Sequence, residues 1–337
     1  MSNMLPVGMH ANSWLTKALA SLDDGQDIVL VTVTSTKGSS PRDHGSHMLV
    51  TKAGIWQTIG GGALEFDVMA RARKMLASDD YNWQRQHMTV ILGPDMGQCC
   101  GGQMSLLLEK FTAKQAGALA ALAQEGCQGQ MLAHPLESGT PLRLQSALSS
   151  FDEAVFMAPV MPRQMPLFIF GAGHVSRALI PRLDGLEFDI FLVDIESTRF
   201  ADNLGDNVQK LLAKAPEKIA LRAPQGAVHL VMTHSHSLDE AICLQLLMRG
   251  DFAYLGLIGS KSKRARFAKR LAAAGVSPAM LDQLVCPIGI SEINEKSPAY
   301  VALSIAAQLA IWQRFEKDHN DGSCAINHSG VVTPQTA

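Results

Sequence analysis

The chain has 337 residues, of which 47% are hydrophobic, and its 29 Lys and Arg nearly balance 31 Asp and Glu to give a formal net charge of −2. This apolar content excludes a disordered or low-complexity protein. The charge balance excludes a general nucleic-acid binder, which carries a basic excess. No apolar run approaches the roughly 18 residues of a membrane span, and residues 1–12 lack the pattern of a secretory signal. We therefore expect a cytoplasmic, globular protein of two domains.

In chain order, residues 1–155 predict a mixed α/β domain. The hydrophobic pattern predicts a helix at 13–21, a strand at 27–35, a hairpin of 46–50 and 55–59, a helix at 64–77, and strands at 88–92 and 104–108. Residues 113–150 predict a further helix, a strand and a polar connection. The first domain therefore combines hairpin-linked strands with helices.

Residues 156–317 predict a Rossmann-like domain. Strands are predicted at 167–170, 188–194, 228–232 and 254–258, and helices from 174 to about 183 and at 238–248, 261–274 and 299–315. Alternating strands and helices are typical of a doubly wound parallel sheet. The polar tail, 318–337, has no periodicity, and we expect it to be disordered.

The six cysteines do not form a disulfide framework in a chain of this length, and they suit a reducing compartment. Adjacent thiols stand out at Cys99 and Cys100, in the glycine-flanked segment 97–102. Such a pair is suited to accept a persulfide sulfur, to ligate a soft metal or to form a strained redox disulfide. Isolated cysteines are more often small buried apolar residues, and we expect this at Cys127, Cys243, Cys286 and Cys324.

A glycine-rich turn follows the strand at 167–170. Gly171 permits a tight turn, Gly173 lets backbone amides approach a phosphate, and the helix that follows favours negative charge. Asp194, at the end of the next strand, occupies the usual position of a ribose-binding carboxylate. Ser176 replaces the third glycine of the dinucleotide motif and His174 lies inside the loop, so a phosphate-containing ligand and a structural turn both remain open.

Two further loops follow strands of the same domain. His234 and His236, with Asp239 or His174 as a third ligand, suggest a metal site, a share in a ligand cleft or simple helix capping. In the other loop, at 260–264, cations at the start of a helix oppose the helix dipole, which suggests that an anionic ligand binds there. A solvated basic helix face would have the same pattern. The residues of this second candidate anion site are Ser260, Lys261, Lys263 and Arg264.

Two loops of small residues in the first domain allow close approach of the backbone to a flat or anionic ligand. Residues 38–42 end in Arg42, and residues 60–65 end in Glu65. The two charged side chains are candidate polar anchors. Each loop taken alone is equally compatible with ordinary turn structure.

Taken together, these motifs resemble the XdhC/CoxI family of xanthine dehydrogenase accessory proteins. The resemblance runs from about residue 15 to 312, in eight ordered segments. The segments are GSSPR (38–42), GSHMLV (45–50), TIGGGALE (58–65), GQCCGG (97–102), FGAGHVSRAL (170–179), MTHSHSLDE (232–240), DFAYLGLIGSKSKRARF (251–267) and CPIGI (286–290).

The resemblance implies an XdhC/CoxI-type domain followed by a Rossmann-like domain, in a chaperone rather than a catalyst. Such a protein binds the molybdenum cofactor (Mo-molybdopterin), protects it, assists its sulfuration by a cysteine desulfurase and delivers it to the molybdenum subunit of xanthine dehydrogenase. Cys99 and Cys100 would then face the molybdenum or its incoming sulfur. The loop at 171–176 or the helix start at 260–264 would hold the phosphate, and a homodimer is the base-rate expectation.

Two other functions stay open on the residues alone. One is an NAD(P)-dependent oxidoreductase using Gly171, Gly173 and Asp194. The other is a metal-dependent hydrolase built on His234 and His236. Neither the oxidoreductase nor the hydrolase interpretation gives the adjacent cysteines a role.

Overall fold

The structure is a computed structural model. It describes residues 13–80, 82–93, 101–125, 130–145, 154–160, 164–205, 208–293, 295–320 and 331–332. Cys99 and Cys100 lie outside the described residues, and so do Cys127, Cys324 and most of the tail at 318–337. The chain divides into two compact units, Met1–Arg163 with Cys324–Ala337, and Gln164–Ser323.

The first unit contains two antiparallel sheets. Its elements are α1 (Trp14–Asp23), β1 (Ile28–Lys37), β2 (His47–Val50), β3 (Ile55–Trp56), α2 (Gly62–Leu76), β4 (Arg85–Ile91), β5 (Gln103–Phe111), α3 (Ala113–Glu125), β6 (Met131–Pro135), β7 (Arg143–Leu144), β8 (Val155–Pro159) and β15 (Val331–Val332). One sheet has the order β3-β2-β1-β5-β4 and the other β15-β8-β6-β7. Because β8 pairs with β6, the first unit extends past the boundary expected at residue 155.

Both faces of the five-stranded sheet are covered, which explains why β1 is an almost continuous apolar run. Val31 and its neighbours on one face pack against Val68 and other residues of α2. On the other face, Leu30 belongs to a core that includes Leu15 of α1 and Leu119 of α3. A strand buried on both faces loses the simple alternation of a half-exposed strand.

The second unit is a single parallel sheet with helices. Its elements are β9 (Met165–Phe170), α4 (His174–Leu179), β10 (Phe188–Asp194), β11 (Val208–Leu212), α5 (Pro216–Ala220), β12 (Val228–Val231), α6 (His236–Arg249), β13 (Tyr254–Leu257), α7 (Lys261–Ala273), α8 (Pro278–Asp282), β14 (Leu284–Val285) and α9 (Pro298–Asn320). All pairings are parallel, in the order β11-β10-β9-β12-β13-β14.

This strand order is that of the Rossmann fold, in which the direction of winding reverses between the first and fourth strands. Here the reversal lies between β9 and β12. Ligands of such folds bind outside the carboxyl ends of the strands at this point. The predicted Rossmann-like, doubly wound domain is therefore confirmed.

Serine N-caps fix the starts of several helices. The hydroxyl of each accepts a hydrogen bond from a backbone N–H of the first helical turn, which satisfies a donor that otherwise lacks a partner. These caps are Ser13 before α1, Ser235 before α6, Ser260 before α7 and Ser277 before α8. Within the described residues, no helix has the length and hydrophobicity that a membrane span needs.

Candidate functional site

Glycine-rich loops of the first unit meet at one end of its five-stranded sheet. Ser39 forms a parallel bridge with Gly101, and a Cβ added at Gly102 would lie 2.0 Å from the carbonyl oxygen of Ser39. A Cβ added at Gly60 would lie 2.5 Å from Cγ of Pro41. Only glycine permits this approach of the three loops. We call residues 38–42, 60–62 and 101–102 the glycine edge.

Helix α2 begins at the glycine edge without a side-chain cap. Its N-cap, Gly61, has φ of 75° and no side chain to accept a helix N–H. The carboxylate of Glu65 instead accepts hydrogen bonds from the backbone N–H groups of Ile59 (3.2 Å) and Gly61 (3.1 Å) and from the hydroxyl of Thr58. Glu65 therefore shapes the loop, and the first N–H groups of a 15-residue helix are free of side-chain capping.

The other predicted residues of this site lie on its loops. Arg42 is exposed, and its carbonyl oxygen accepts a hydrogen bond from the Ser40 hydroxyl at 3.0 Å. Cys99 and Cys100 are outside the described residues, but Cys100 is bonded directly to Gly101, which belongs to the glycine edge. Three of the sequence motifs that seemed separate are thus brought together in space.

In the second unit, the glycine-rich turn lies against the neighbouring strand end at the reversal point. Gly171 has φ of 107°, and a Cβ there would lie 2.4 Å from the carbonyl oxygen of Met232, just after β12. The hydroxyl of Ser176, which is buried, donates a hydrogen bond to the carbonyl oxygen of Gly171. Ser176, which replaces the third glycine of the dinucleotide motif, therefore stabilises the glycine-rich turn by a buried hydrogen bond.

Asp194 is held by backbone groups at the end of β10. Its Oδ2 accepts the N–H of Ala172 at 2.7 Å, and its Oδ1 accepts those of Ile195 (2.7 Å) and Glu196 (3.2 Å). Only 5% of the residue is exposed. Both oxygens of Asp194, the carboxylate predicted to bind ribose, therefore already accept hydrogen bonds, Oδ2 from the glycine-rich turn and Oδ1 from the residues that follow β10.

Arg199 connects two loops at the same sheet edge, and the sequence analysis did not identify it. Its guanidinium lies 3.3 Å from Nδ1 of His234, 3.1 Å from the Glu196 carboxylate and 3.7 Å from Asp194. The hydrogen bond with Glu196 raises the pKa of Arg199 above its ordinary value. In the sequence, the only indication of this role is that Arg199 stands five residues after Asp194, the aspartate that ends β10.

A buried ion pair lies behind the loop that carries the histidines. Oδ1 of Asp239 accepts the N–H (3.1 Å) and the hydroxyl (2.7 Å) of Thr233, while Oδ2 lies 2.6 Å from Nζ of Lys263. Lys263 also donates to the carbonyl oxygen of Ile258 at 2.9 Å. Asp239 is 0% and Lys263 5% exposed. This aspartate and this lysine therefore serve the packing of α6 against α7.

The remaining residues of the second candidate anion site separate in the structure. Ser260 caps α7, and Lys261 is exposed at its first position. Arg264 donates a hydrogen bond to the carbonyl oxygen of Leu281 at 2.5 Å. With Lys263 buried, the basic run does not form one cluster of free cations.

His174 and His236 are exposed at the first positions of α4 and α6. Across the described part of the chain, no group of three or more His, Cys, Asp and Glu side chains is arranged to hold a metal ion. Asp239, the expected third ligand, is committed to Thr233 and Lys263. The described residues thus give no support to a metal site on the histidine loop.

A small cleft marks the reversal point between β9 and β12. Its volume is about 10 Å³, far below the roughly 300–1,000 Å³ of typical ligand pockets. Most of its lining residues are apolar, and its polar ones are Asp194, Thr233 and His234. The lining includes Phe170, Val193, Asp194, Pro216, Thr233 and His234.

Comparison with known proteins assigns both units. Residues 167–309 match the model of the XdhC Rossmann domain, and residues 21–85 match the model of the XdhC and CoxI family. Together these ranges cover more than half of the chain. The chain belongs to the XdhC and CoxI family.

Two curated relatives of this XdhC-family chain are distant in sequence. YqeB of Escherichia coli K12, a protein described as uncharacterised, is 25% identical over 300 residues, or 87% of this chain and 45% of YqeB. The chain thus spans less than half the length of that relative. A Bacillus subtilis protein described as a probable subunit of xanthine dehydrogenase is 23% identical over 335 residues, or 86% of this chain and 94% of that protein.

A solved structure shares the fold over nearly the whole chain. The crystal structure of a Bacillus halodurans protein described as a xanthine dehydrogenase gives a TM-score of 0.73 at 24% identity, and the match covers 93% of this chain and 98% of that one. Both the mixed α/β unit and the Rossmann unit therefore belong to a fold already seen by crystallography.

Proposed function

We propose that this chain is a xanthine dehydrogenase accessory protein that binds the molybdenum cofactor, protects it, assists its sulfuration and delivers it to xanthine dehydrogenase. Family membership supports the general role, and so do two relatives whose descriptions name xanthine dehydrogenase. The observation that carries the proposal is the glycine edge, which joins three loops beside the uncapped start of α2 and continues into Cys100.

The residues present fit the chemistry of such a cofactor. A pterin is flat and bears a phosphate, and its dithiolene sulfurs hold a soft metal. At Gly60 and Gly102 a Cβ would meet Pro41 and Ser39, so these glycines allow the three loops of the glycine edge to pack closely together. The start of α2 would hold the phosphate, Arg42 would add positive charge, and thiols are suited to a soft metal or its sulfur. When bound, the cofactor would supply the molybdenum on which a terminal oxo ligand is exchanged for a sulfido ligand.

Each residue at the edge has a distinct task in this proposal. Glu65 holds residues 59–61 in the shape that leaves the helix N–H groups available. The bridge between Ser39 and Gly101 fixes one end of the segment that carries Cys99 and Cys100. These thiols would receive sulfur from a cysteine desulfurase or face the metal, since thiolates serve both purposes.

The contacts in the second unit favour α2 over the two phosphate sites expected from the sequence. Helix α4 has only 6 residues, so its dipole is weak. Lys263 is buried against Asp239, and Arg264 is bonded to Leu281. The cations needed around a phosphate at the start of α7 are therefore used inside the protein.

The two alternative functions gain less support. Nicotinamide binding is favoured by the strand order, but both oxygens of Asp194 are engaged by backbone N–H groups. A metal-dependent hydrolase needs three ligands near His234 and His236, and the described residues provide no such group. Titration with NADH and NADPH under a thermal-shift readout separates the first alternative, since an oxidoreductase would be stabilised by its nucleotide.

The deciding experiment isolates the protein from cells that make the cofactor. We expect bound molybdenum and oxidised-pterin fluorescence at a fixed ratio to protein, and activation of apo xanthine dehydrogenase by the loaded protein. The absence of both cofactor signals, together with failure to activate where free cofactor succeeds, would overturn the proposal.

A matched cysteine pair tests the thiol role. The double variant Cys99→Ser, Cys100→Ser should lose sulfuration of the bound cofactor and most metal retention. Cys286→Ser, a half-buried thiol of the second unit, serves as control and should behave as the wild type. Full sulfuration in the double variant would remove Cys99 and Cys100 from the mechanism while leaving cofactor carriage intact.

A further inference from the structure

The face of the five-stranded sheet opposite α2 is covered mainly at one end. Helices α1 and α3 share a core with Leu30 and Phe111, at the end of the sheet away from the glycine edge. At the other end, Lys37 is the last residue of β1 and Gln103 the first of β5, and both adjoin the glycine edge. Ile91, which pairs with Gln103, is 71% exposed. The part of this face that borders the glycine edge is therefore accessible to a ligand.

Strand register aligns three hydroxyl side chains across this accessible part of the face. Ser105 of β5 pairs with Ser35 of β1 and with Thr89 of β4. Directly paired residues point their side chains to the same face, and the neighbours Met104 and Leu106 belong to the core under α2. The three hydroxyl residues therefore lie on the face opposite α2, with the hydroxyls of Thr89 and Ser105 3.2 Å apart. We call Ser35, Ser105 and Thr89 the hydroxyl trough.

Longer side chains border the hydroxyl trough on both sides. Towards the glycine edge, the next row consists of Lys37, Gln103 and Ile91. Away from it, Leu107 pairs with His87. Successive rows are about 6.8 Å apart and a row across three strands spans about 9.6 Å, from the rise and spacing of antiparallel strands. The short hydroxyl side chains thus form the floor of a shallow depression between two rows of longer ones.

Several polar groups beside the hydroxyl trough lack partners among the described residues. Oγ1 of Thr32 and Oγ1 of Thr34 have no hydrogen-bond partner there, although Thr32 is 2% and Thr34 0% exposed. Such groups are rare, because buried polar atoms are nearly always hydrogen-bonded. In the same part of the chain, the side chains of Ser35, Lys37 and Gln103 make no hydrogen bond or ion pair. This end of the sheet therefore offers donors and acceptors that the described residues do not use.

We propose that the hydroxyl trough binds the pterin ring of the molybdenum cofactor, an inference that rests on the proposed function. A pterin is flat and carries ring nitrogens, an amino group and a carbonyl group at its edges. Short side chains let such a ring lie close to the sheet, and hydroxyls pair with both kinds of group because they donate and accept. Lys37 supplies positive charge towards an anionic cofactor. The surface offers little apolar area beyond Ile91, which favours a small polar ligand over a protein interface.

The hydroxyl trough adjoins the other parts of the proposed site. Cys99 and Cys100 belong to the connection between β4 and β5, the strands that carry Thr89 and Ser105. The glycine edge follows the row of Lys37 directly along β1. A pterin carries its dithiolene sulfurs on the ring system, so a ring held at these strand ends suits thiols from the connection that joins them.

The test removes hydroxyls while keeping the size of the floor nearly constant. Protein carrying Thr89→Val with Ser105→Ala is isolated from cells that make the cofactor, diluted and ultrafiltered. Oxidised-pterin fluorescence of the retained and free fractions then gives a dissociation constant. This constant should rise about tenfold, because two hydrogen bonds are lost. The exchanged variant, Thr89→Ser with Ser105→Thr, keeps both hydroxyls and should hold pterin as the wild type does.

Ser21→Ala, which removes a hydroxyl of α1 outside the hydroxyl trough, is the control, and thermal unfolding checks that every variant is folded. Equal pterin affinity in the wild type and the Thr89→Val, Ser105→Ala variant would overturn this assignment and leave the proposed function standing. Equal losses in that variant and the exchanged one would also overturn it, since the hydroxyls would not be responsible. A wild type that carries neither pterin nor molybdenum would overturn the proposed function, and this inference with it.

Discussion

The carboxylate of Glu109 lies 2.6 Å from Nδ1 of His134, with both side chains almost fully buried. Its other oxygen lies 2.8 Å from Nε of Arg85. Burial opposes ionisation of Glu109, but the neighbouring His134 and Arg85 hold its pKa below the ordinary value. Since these residues come from β5, β6 and β4, one carboxylate joins the two sheets of the first unit.

Removing the negative charge of Glu109 should lower the urea concentration at which the first unit unfolds. Glu109→Gln leaves the guanidinium of Arg85 buried without its counter-ion, and breaking a buried pair in this way costs about 3–5 kcal/mol. Urea titration measures the loss. Asp67→Asn, which breaks an exposed pair with Arg71, should cost less than about 1 kcal/mol. Equal losses in the two variants would contradict the prediction.

Stability should fall as the pH drops below 6.5. Burial lowers the pKa of His229, whose ring lies against Phe168 and Phe170, to about 3. Burial and the nearby His134 lower that of His47 to about 4. Below the ordinary pKa of 6.5 the unfolded chain binds protons that the folded chain does not. Each histidine then removes about 1.4 kcal/mol per pH unit until its folded pKa is reached.

The variant His229→Phe isolates one of the two contributions. Between about pH 7.5 and 5.5 it should lose roughly 1.4 kcal/mol less stability than the wild type. Urea-dependent hydrogen exchange of peptides from β12 and β13 reports this for the second unit alone. An unchanged pH dependence would show that the ring titrates normally in the folded state.

A double-mutant cycle should reveal strong coupling between Asp239 and Lys263. Asp239→Asn leaves a buried ammonium without its partner and should cost about 3–5 kcal/mol. With Lys263→Met already present, the same change should cost much less, because no charge is stranded. The exposed pair of Glu240 and Arg270 provides the reference cycle, with a coupling of about 0.2–1 kcal/mol. Additive losses at Asp239 and Lys263 would contradict the assignment.

Two glycine substitutions should act in opposite directions. Gly102→Ala puts a Cβ 2.0 Å from the Ser39 carbonyl oxygen, so the loops of the glycine edge must separate, at a cost of roughly 1–3 kcal/mol. Gly117→Ala, in α3 with open space around it, should stabilise by about 0.5–1 kcal/mol. Thermal unfolding and cofactor content are the measurements. Only Gly102→Ala should lower the bound molybdenum.

Much of the fold was predictable because the buried strands are apolar runs of characteristic length. Strand β11 was missed, since its exposed Gln209 and Lys210 interrupt the pattern on an edge strand. Positions at strand ends were also predictable, as Gly171 and Asp194 show. Because parallel strands end at the same edge of a sheet, the strand order alone places such residues together, and predicting this needs no knowledge of side-chain packing.

The direction of individual side chains was not predictable. Nothing in the run from 260 to 264 indicates that Lys263 turns inward to Asp239 while Lys261 stays in solvent, because this depends on how α7 packs against α6. The bridge between Ser39 and Gly101 likewise depends on contacts between distant segments. The roles of Cys99 and Cys100 remain predictions.

The ion pair of Asp239 and Lys263 also bears on how the second unit fluctuates. The aspartate binds Thr233 after β12, and the lysine binds the carbonyl oxygen of Ile258 after β13. Neither loop is able to open without breaking contacts that hold the other. Their amides should therefore exchange with solvent as one cooperative unit, and a ligand bound at either loop would slow exchange at both.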